Sequence, residues 1–347
     1  MFLLREVFPD DIEGLHKVAA HLDSVNLPDN RQVLEKEVEQ SRKSFSGQLD
    51  IFKREYLFVL LDLGTETNPD KSKGTVIGTS MIHAQHGTRR SPHIFFDVLE
   101  DERYSDSLDK HFVHKVLRIG YNYNGPTEIG GLVINPEYRR NPLALGKWLS
   151  YVRFLYMGLH RSSFRDEILS ELLPPLKDDG SSVVWEAIGR HFTGMTYQEA
   201  DFISKTNKEF IRSLFPAEPI YLSLFPKTMQ DIIGQVGEET RGVEKMLRRI
   251  GFKYVDRIDP FDGGPHFVAP TDEITLIKQT RRAKVVKVSG ADDGRPYGLI
   301  SVERDRSPHF AATGSRYRLE GGEVGLPEST LALLELKPGD EVGVLPF

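Results

Sequence analysis

Residues 127–164 join a short apolar strand, a basic loop and a long apolar helix, and this order limits the fold more than any other feature. Residues 128–134 are mostly aliphatic, which favours a strand. Asn135 and Pro136 end it, because proline lacks an N–H and disfavours helix in the preceding residue. The loop 139–147 then opens into the helix. Such a loop directs backbone N–H groups at one point, so it predicts a phosphate site; an ordinary strand–helix connection is the alternative.

The composition is that of a soluble globular protein with room for two or three domains. The chain has 347 residues, 39% hydrophobic and 28% charged, so it can bury a sizeable core. The absence of cysteine excludes disulfides, cysteine-bound zinc and a thiol nucleophile. The formal net charge of -6 gives no support for wholesale nucleic-acid binding.

Two features bear on cellular location. No apolar run approaches the roughly 20 residues that a membrane-spanning helix needs. The N-terminal stretch before Asp10 and Asp11 is too short for a signal peptide. We therefore expect a cytoplasmic protein with no membrane partner.

The first half alternates between strand-like and helix-like segments. We predict strands over residues 2–7, 56–63, 75–82, 94–99 and 116–121, and helices from Pro9 and over 32–46. The polar loop 64–74, with Asn68, Pro69 and Asp70 at its tip, indicates a hairpin. A turn is expected at residues 26–30. This order, followed by the strand and helix of 127–164, favours an α/β (α+β) fold with a mixed central sheet.

The second half is predicted to be mainly helical and to end in short strands. The predicted helices are 183–191, 198–204, 207–214, 227–236 and 242–250, between strands at 167–173 and 251–255. Residues 271–282 form a predicted linker of mixed charge. We therefore divide the chain into residues 1–173, a mainly helical segment 174–283, and a small β-rich module 284–347.

Several stretches, in one order over nearly the whole chain, resemble the arginine N-succinyltransferase family. They are residues 26–30, 56–60, 149–154, 185–192, 200–202, 233–236 and 261–265. No single stretch is diagnostic, whereas the ordered set is. The family is similar in fold to the GNAT acyl-CoA N-acyltransferases. The resemblance therefore implies a GNAT-like fold in which residues 1–173 bind acyl-CoA and residues 174–283 complete the acceptor site.

For the co-substrate, the resemblance assigns the strand and basic loop to acyl-CoA. The family's succinyl-CoA contact falls on Leu132 of the central strand; a plain core residue is the alternative. The implied acyl-CoA-binding residues are Leu132, Val133, Ile134, Arg139, Arg140, Gly146 and Lys147. The loop is longer than the family's by one or two residues and carries Pro142. No permanently bound cofactor is implied.

The family's proton donor is missing from this chain. The family places a histidine where this sequence has Gly237. Candidate replacements are Glu238, Glu239, His191 and Tyr156. The glutamates can instead lie on a solvated loop, Tyr156 can be a core residue, and His191 can complement a helix dipole. A donor is also dispensable in principle, because an alkyl thiolate is a tolerable leaving group near its own pKa of about 8.5.

An arginine acceptor needs carboxylates for its guanidinium group. The candidates lie in family-like stretches and are Glu171, Glu186, Asp201 and Asp262. Asp262 can equally fix its own turn through the backbone. Arg153 and Arg190 are candidates for the succinyl carboxylate. The histidines show no HxxxH or His–Glu spacing, so no metal is expected.

The resemblance implies a CoA-dependent N-acyltransferase of arginine catabolism that moves a succinyl group from succinyl-CoA to the α-amine of L-arginine. The missing histidine keeps two alternatives open. One is a changed acceptor or donor, such as ornithine or acetyl-CoA. The other is a non-catalytic subunit of the same fold. The expected partners are the amine and the acyl-CoA, and both homo- and hetero-oligomers are open.

Overall fold

The structure is a computed structural model that describes residues 1–19, 30–65, 74–89, 91–177, 179–204, 207–286 and 296–347. The turn predicted at residues 26–30 falls outside these ranges except for Asn30, and so does the predicted hairpin tip at residues 68–70. Strands and helices alternate along the described chain, which confirms the mixed α/β class.

Strands and helices occupy the following bounds. The strands are β1 (Phe2–Glu6), β2 (Glu55–Asp62), β3 (Thr75–His83), β4 (His93–Ser105), β5 (Lys110–Asn122), β6 (Thr127–Ile134), β7 (Glu167–Glu171), β8 (Ile220–Tyr221), β9 (Lys253–Ile258), β10 (Pro265–Pro270), β11 (Arg281–Val286), β12 (Tyr297–Glu303), β13 (Phe310–Arg316), β14 (Arg318–Glu320), β15 (Glu323–Gly325) and β16 (Glu341–Pro346). The helices are α1 (Ile12–Ala19), α2 (Arg31–Phe45), α3 (Leu145–Leu159), α4 (Arg190–Thr193), α5 (Tyr197–Ser204), α6 (Glu209–Leu214), α7 (Lys227–Ile232), α8 (Arg241–Arg249), α9 (Thr275–Gln279) and α10 (Glu328–Leu334).

The predicted strands and helices of the first half are present, and two strands run further than predicted. β4 and β5 form one long hairpin whose outer halves are partly or fully exposed, so they lack the apolar pattern that marks a strand. The prediction of a linker at residues 271–282 is wrong, because α9 lies there and buries Leu276. This helix is too short to show a helical period. β10, which follows the predicted turn at residues 261–265, was not predicted.

The chain forms two compact units, each built from separate stretches. Unit 1 contains residues 1–84, 127–166 and 271–347, and unit 2 contains residues 85–126 and 167–270. The division into residues 1–173, 174–283 and 284–347 differs from this one and stays a prediction. Residues 284–347 add strands directly to the sheet of the N-terminal segment, because β13 pairs with β1.

Unit 1 consists of one continuous sheet with helices packed against it. Its strand order is β14-β15-β11-β16-β12-β13-β1-β2-β3-β6. The neighbours are antiparallel except for β11 and β15. Alternate residues of β2 serve two groups of contacts: Leu57 and Val59 join the apolar cluster of α1 and α2, whereas Tyr56 and Phe58 contact Tyr156 of α3. α3 is therefore fixed by the sheet that carries β6.

Unit 2 is an antiparallel sheet in the order β7-β10-β9-β4-β5-β8 with short helices against it. Its apolar cluster joins strand residues such as Phe96 to Trp185, Tyr197 and Ile211 of the helical segments. Trp185 lies in a π-helical turn that leads into α4, and its ring stacks on Phe261 with centroids 5.1 Å apart. This packing holds the turn that follows β9. Among the helices that the structure describes, none is both long and apolar enough to span a bilayer.

Removing residues 287–347 is expected to unfold unit 1. The truncation deletes β12, β13 and β16 and leaves β1 without one of its two neighbours. It also exposes the apolar cluster that includes Ile300 and Val344. In a Trp185→Phe background Trp148 is the only tryptophan, so its fluorescence during urea denaturation reports on unit 1. A cooperative transition in the truncated chain, equal to that of the full chain, would contradict this expectation.

Candidate active site

A β-bulge interrupts β6 at the residue predicted to contact the thioester. The pairs on either side of the bulge are Thr79–Val133 and Met81–Gly130. Gly131 and Leu132 therefore face one residue of β3. Gly131 has a φ of 54°, a left-handed conformation that glycine adopts at no steric cost. A bulge takes a residue out of the regular hydrogen-bond ladder between strands. The backbone N–H and C=O groups of Leu132 are therefore available to bind other groups.

The loop after β6 presents exposed cations beside the first turn of α3. Arg139, Arg140 and Lys147 are all exposed. A Cβ added to Gly146 would meet no atom within 4 Å, so the surface at this glycine is open. The first N–H groups of a helix have no intrahelical acceptors. The predicted phosphate-binding residues of the loop therefore combine positive charge, open surface and backbone donors.

Side-chain hydrogen bonds hold this loop in one conformation. The Asn135 Oδ1 accepts from the N–H of Glu137 at 3.0 Å, and the Asn141 Oδ1 accepts from Leu143 at 2.9 Å. The Tyr138 hydroxyl donates to the Asp62 carboxylate at 2.9 Å. Ala144 then adopts a left-handed φ of 54° directly before α3. Strained backbone of this kind occurs at functional sites, and the loop is pre-arranged by bonds that do not involve its cations.

Arg153 of α3 is a buried cation next to the bulge. Its side chain is 2% exposed and donates to the carbonyl oxygen of Gly130 at 3.3 Å and to the Ser150 hydroxyl at 2.9 Å. Burial lowers the pKa of its guanidinium group. Among the described residues no carboxylate forms an ion pair with it. A buried charge of this kind gains strongly from an anionic partner.

Tyr156, a predicted acid, lies inside an aromatic cluster of unit 1. Its ring is 4.7 Å from Tyr56 and 5.2 Å from Phe310, between ring centroids. Burial raises the pKa of the Tyr156 hydroxyl well above its usual value. Its position is that of a core tyrosine, the alternative to a catalytic role.

In unit 2, two aspartates fix the turn between β9 and β10. The Asp259 Oδ1 accepts from the N–H of Phe261 at 2.7 Å and from Asp262 at 3.2 Å. The Asp262 Oδ1 accepts from Gly264 at 2.7 Å. Asp262 therefore fixes its own turn through the backbone, as the alternative for this residue predicted. These bonds also hold both carboxylates in place.

Four carboxylates of unit 2 influence one another. Burial raises the pKa of Asp259 to about 7, and the nearby charge of Glu171 adds to the increase. Burial also raises the pKa of Asp262, with Asp259, Glu171 and Asp201 acting in the same direction. Tyr197 lies among them: burial raises the pKa of its hydroxyl, and Asp262, Asp259 and Asp201 add to the effect. We call Glu171, Asp201, Asp259 and Asp262 the carboxylate cluster; three of them were predicted.

Glu171 also contacts two buried histidines. Its Oε1 lies 3.2 Å from the Nε2 of His93 and 3.3 Å from the Nε2 of His266. Glu186, the fourth predicted carboxylate, instead forms an ion pair with Arg190 at 3.3 Å, one helical turn away. Arg190 therefore already has a carboxylate partner.

Gly237, at the position of the missing histidine, packs tightly against backbone. Its φ of -62° and ψ of 155° are ordinary extended values, so conformation does not require glycine here. Its N–H donates to the carbonyl oxygen of Leu173 at 2.8 Å. A Cβ would lie 2.8 Å from the Pro174 carbonyl oxygen and 3.1 Å from that of Leu173. Any side chain at this position therefore requires the backbone to shift.

The other predicted acids lie at the surface of unit 2. Glu238 and Glu239 are exposed in the 3-10 turn before α8, and Glu238 is 3.7 Å from Arg241. His191 is exposed in the short helix α4, which Gly194 ends with a left-handed φ of 72°. Their roles as proton donors stay predictions.

The carboxylate cluster and its neighbours include residues that sequence reasoning missed: Asp259, His93 and His266. For Asp259 a signal was present, because it precedes Asp262 by three residues in a turn-forming stretch and aspartate often caps such turns. His93 and His266 lie in strands far apart along the chain, so no spacing connects them.

The chain is similar over most of its length to one family of known proteins. A family model described as arginine N-succinyltransferase beta subunit matches residues 2–276. The chain belongs to the arginine N-succinyltransferase family. This confirms the predicted resemblance, and with it the class of CoA-dependent N-acyltransferases, whose co-substrate is an acyl-CoA.

Relatives of this family match the whole chain. Two proteins named arginine N-succinyltransferase, from Photorhabdus laumondii subsp. laumondii and Escherichia coli O139:H28, are 30% and 29% identical to it. The alignments cover 99% of this chain and 97% and 96% of theirs. The solved arginine/ornithine succinyltransferase subunit AI from Pseudomonas aeruginosa has a TM-score of 0.82 and 26% identity, over 100% of this chain and 98% of that chain. The GNAT-like fold is thereby confirmed.

Asp259→Asn is expected to stabilise the protein at pH 8. The folded pKa of about 7 lies above the unfolded value of about 3.9. The folded state therefore binds more protons between these values, and stability falls as the pH rises through this window. Asparagine keeps an oxygen for the N–H groups of Phe261 and Asp262 and removes the charge.

Urea denaturation at pH 8 should show a gain on the order of 1 kcal/mol, which disappears toward pH 5. The matched control is Asp106→Asn, an exposed carboxylate, which should change stability equally little at both pH values. A destabilisation by Asp259→Asn that is the same at pH 5 and pH 8 would show that charge burial is not the cause.

Proposed function

We propose that this protein transfers the succinyl group of succinyl-CoA to the α-amine of L-arginine. The carboxylate cluster carries this proposal. The raised pKa values of Asp259 and Asp262, to which Glu171 contributes, indicate that a cation is favourable here. The planar guanidinium group can bind two carboxylate oxygens at once. The names of the full-length relatives support the same acceptor. The name of the Pseudomonas subunit adds ornithine, whose ammonium group is a point charge without this geometry.

Loop residues supply the site for the CoA phosphates in this proposal. Arg139, Arg140 and Lys147 are exposed and carry no competing ion pair in the described part of the chain. Gly146 leaves the helix start open. The thioester then lies along β6, where Val133 and Ile134 continue the strand beyond the bulge at Leu132.

The reaction requires an unprotonated amine and a polarised thioester carbonyl. The amine nitrogen attacks the carbonyl carbon, a carbon–nitrogen bond forms, and the carbon–sulfur bond breaks. The nitrogen loses a proton and the CoA thiolate gains one. We assign stabilisation of the tetrahedral oxyanion to backbone N–H at the Leu132 bulge, since donors fixed before the reaction stabilise such charge most effectively.

We propose that the thiolate leaves without a dedicated acid. Gly237 has no side chain, and Glu238, Glu239 and His191 are exposed to solvent. Tyr156 is buried with a raised pKa. A thiolate is a tolerable leaving group near its pKa of about 8.5. Orientation of the two substrates then accounts for most of the rate.

A thiol-release assay with succinyl-CoA and acetyl-CoA against arginine, ornithine and lysine tests the function. Succinyl-CoA with arginine should give the highest kcat/KM. Asp201→Asn should raise the KM for arginine about tenfold, the cost of one charge-assisted hydrogen bond, and leave the KM for succinyl-CoA unchanged. Arg140→Glu with Lys147→Glu should do the reverse.

The matched control is Lys227→Glu, which reverses an exposed lysine on α7 and should change neither KM. The absence of thiol release with every pair of substrates would contradict the proposal. Equal effects of the Asp201 and loop variants on both KM values would contradict the assignment of separate sites.

Arg153 is proposed to select the succinyl donor by binding its free carboxylate. Arg153→Met keeps most of the buried volume and removes the charge. It should lower kcat/KM for succinyl-CoA at least about tenfold, in line with a lost charged hydrogen bond, and leave acetyl-CoA unaffected. Parallel assays with the two donors measure this ratio. An equal loss with both donors would assign Arg153 a structural role only.

A further inference from the structure

Three histidines and one glutamate of unit 2 meet in a single cluster. His86 precedes β4, His93 begins it, Glu171 ends β7, and His266 lies in β10. One potential ligand atom from each of His86, His93 and Glu171 lies within 4.8 Å of the others. The rings of His86 and His93 have centroids 4.5 Å apart, and those of His93 and His266 are 5.2 Å apart.

The distance between Glu171 and His93 matches the edge of a metal tetrahedron. Ligands about 2.0–2.1 Å from a tetrahedral zinc ion are about 3.3 Å from one another. The Glu171 Oε1 is 3.2 Å from the Nε2 of His93 and 3.3 Å from the Nε2 of His266. His86 supplies the third ligand atom, which lies within 4.8 Å of those of His93 and Glu171, and His266 is not one of these three residues.

Backbone contacts fix the positions of these side chains. His266 is directly opposite Glu171 in the pairing of β10 with β7. His86 donates its N–H to the Pro126 carbonyl oxygen at 2.8 Å. Gly87 has a φ of 87°, and a Cβ there would lie 2.7 Å from the N of His93. Only glycine allows the chain to bring His86 this close to His93. His93 and His266 are 4% and 1% exposed.

We propose that His86, His93 and Glu171 bind a divalent first-row transition ion, with Zn²⁺ as the best fit, and that His266 holds Glu171 in place. Imidazole nitrogens and one carboxylate oxygen suit Zn²⁺, Ni²⁺ and Cu²⁺, whereas Mg²⁺ and Ca²⁺ require oxygen ligands. Glu171 lies far along the chain from His86 and His93, so sequence spacing gave no signal for this site. Glu171 also belongs to the carboxylate cluster, and an ion bound there competes with a cationic acceptor for it.

The test is calorimetric titration of chelator-treated full-length protein with Zn²⁺, in the absence of any substrate. One ion should bind per chain, and Mg²⁺ should give no binding heat. The absorption spectrum of bound Co²⁺ should show the intense visible bands of a tetrahedral site. His86→Ala and Glu171→Gln should each weaken Zn²⁺ binding at least about tenfold, since changes to groups that only support the ligands already cost this much.

His111→Ala is the matched control, because His111 forms an exposed pair with Glu102 at 3.4 Å, and it should leave Zn²⁺ binding unchanged. His93→Ala is informative only if its circular dichroism matches the parent; His86→Ala and Glu171→Gln carry the test otherwise. Failure to bind Zn²⁺, or binding that both variants leave unchanged, would overturn the proposal. Neither result depends on acyl transfer, so the metal site and the proposed function fail separately.

Discussion

Repulsion among the four members of the carboxylate cluster is the constraint on which the proposed acceptor site depends. Asp259 and Asp262 accept backbone N–H groups of their own turn, and these bonds offset part of the cost of burial. The part of this cost that is not offset raises the pKa values of Asp259 and Asp262. The charge of Glu171 adds to both increases, and that of Asp201 adds to the increase at Asp262. A guanidinium group relieves this cost, because it supplies positive charge and donors together. The turn is thus stable without substrate and more favourable with it.

The missing histidine is consistent with this account. The backbone of Leu173 and Pro174 fills the space where a side chain at residue 237 would begin. In the proposed mechanism without a donor, the rate depends on positioning of the substrates and on stabilisation of the oxyanion. The bulge at Gly131 and the hydrogen-bonded loop after β6 supply fixed backbone for both.

The sequence predicted those features that depend on interactions between residues close together in the chain. The strand–loop–helix of residues 127–164 is present, because alternating apolar residues, Asn135 with Pro136, and the apolar run of α3 each act over a few residues. Contacts between distant segments were not predictable: nothing in the spacing of His93 and His266 shows that they share Glu171. The bulge was also missed, since Gly130 and Gly131 leave open which residue departs from the ladder. Asp262 was interpreted either as fixing its own turn or as binding the guanidinium group of the acceptor. The two are compatible, because a carboxylate that accepts a backbone hydrogen bond can still contribute negative charge to the carboxylate cluster.

The most direct test of the account is calorimetry of arginine binding at pH 7 in two buffers with different ionisation enthalpies. Asp259 is partly protonated at this pH, given its pKa of about 7. A guanidinium group bound beside it lowers that pKa and expels the proton. The account predicts net proton release, seen as a binding enthalpy that depends on the buffer, and a smaller dependence in Asp259→Asn. Arginine binding with the same enthalpy in both buffers would contradict it.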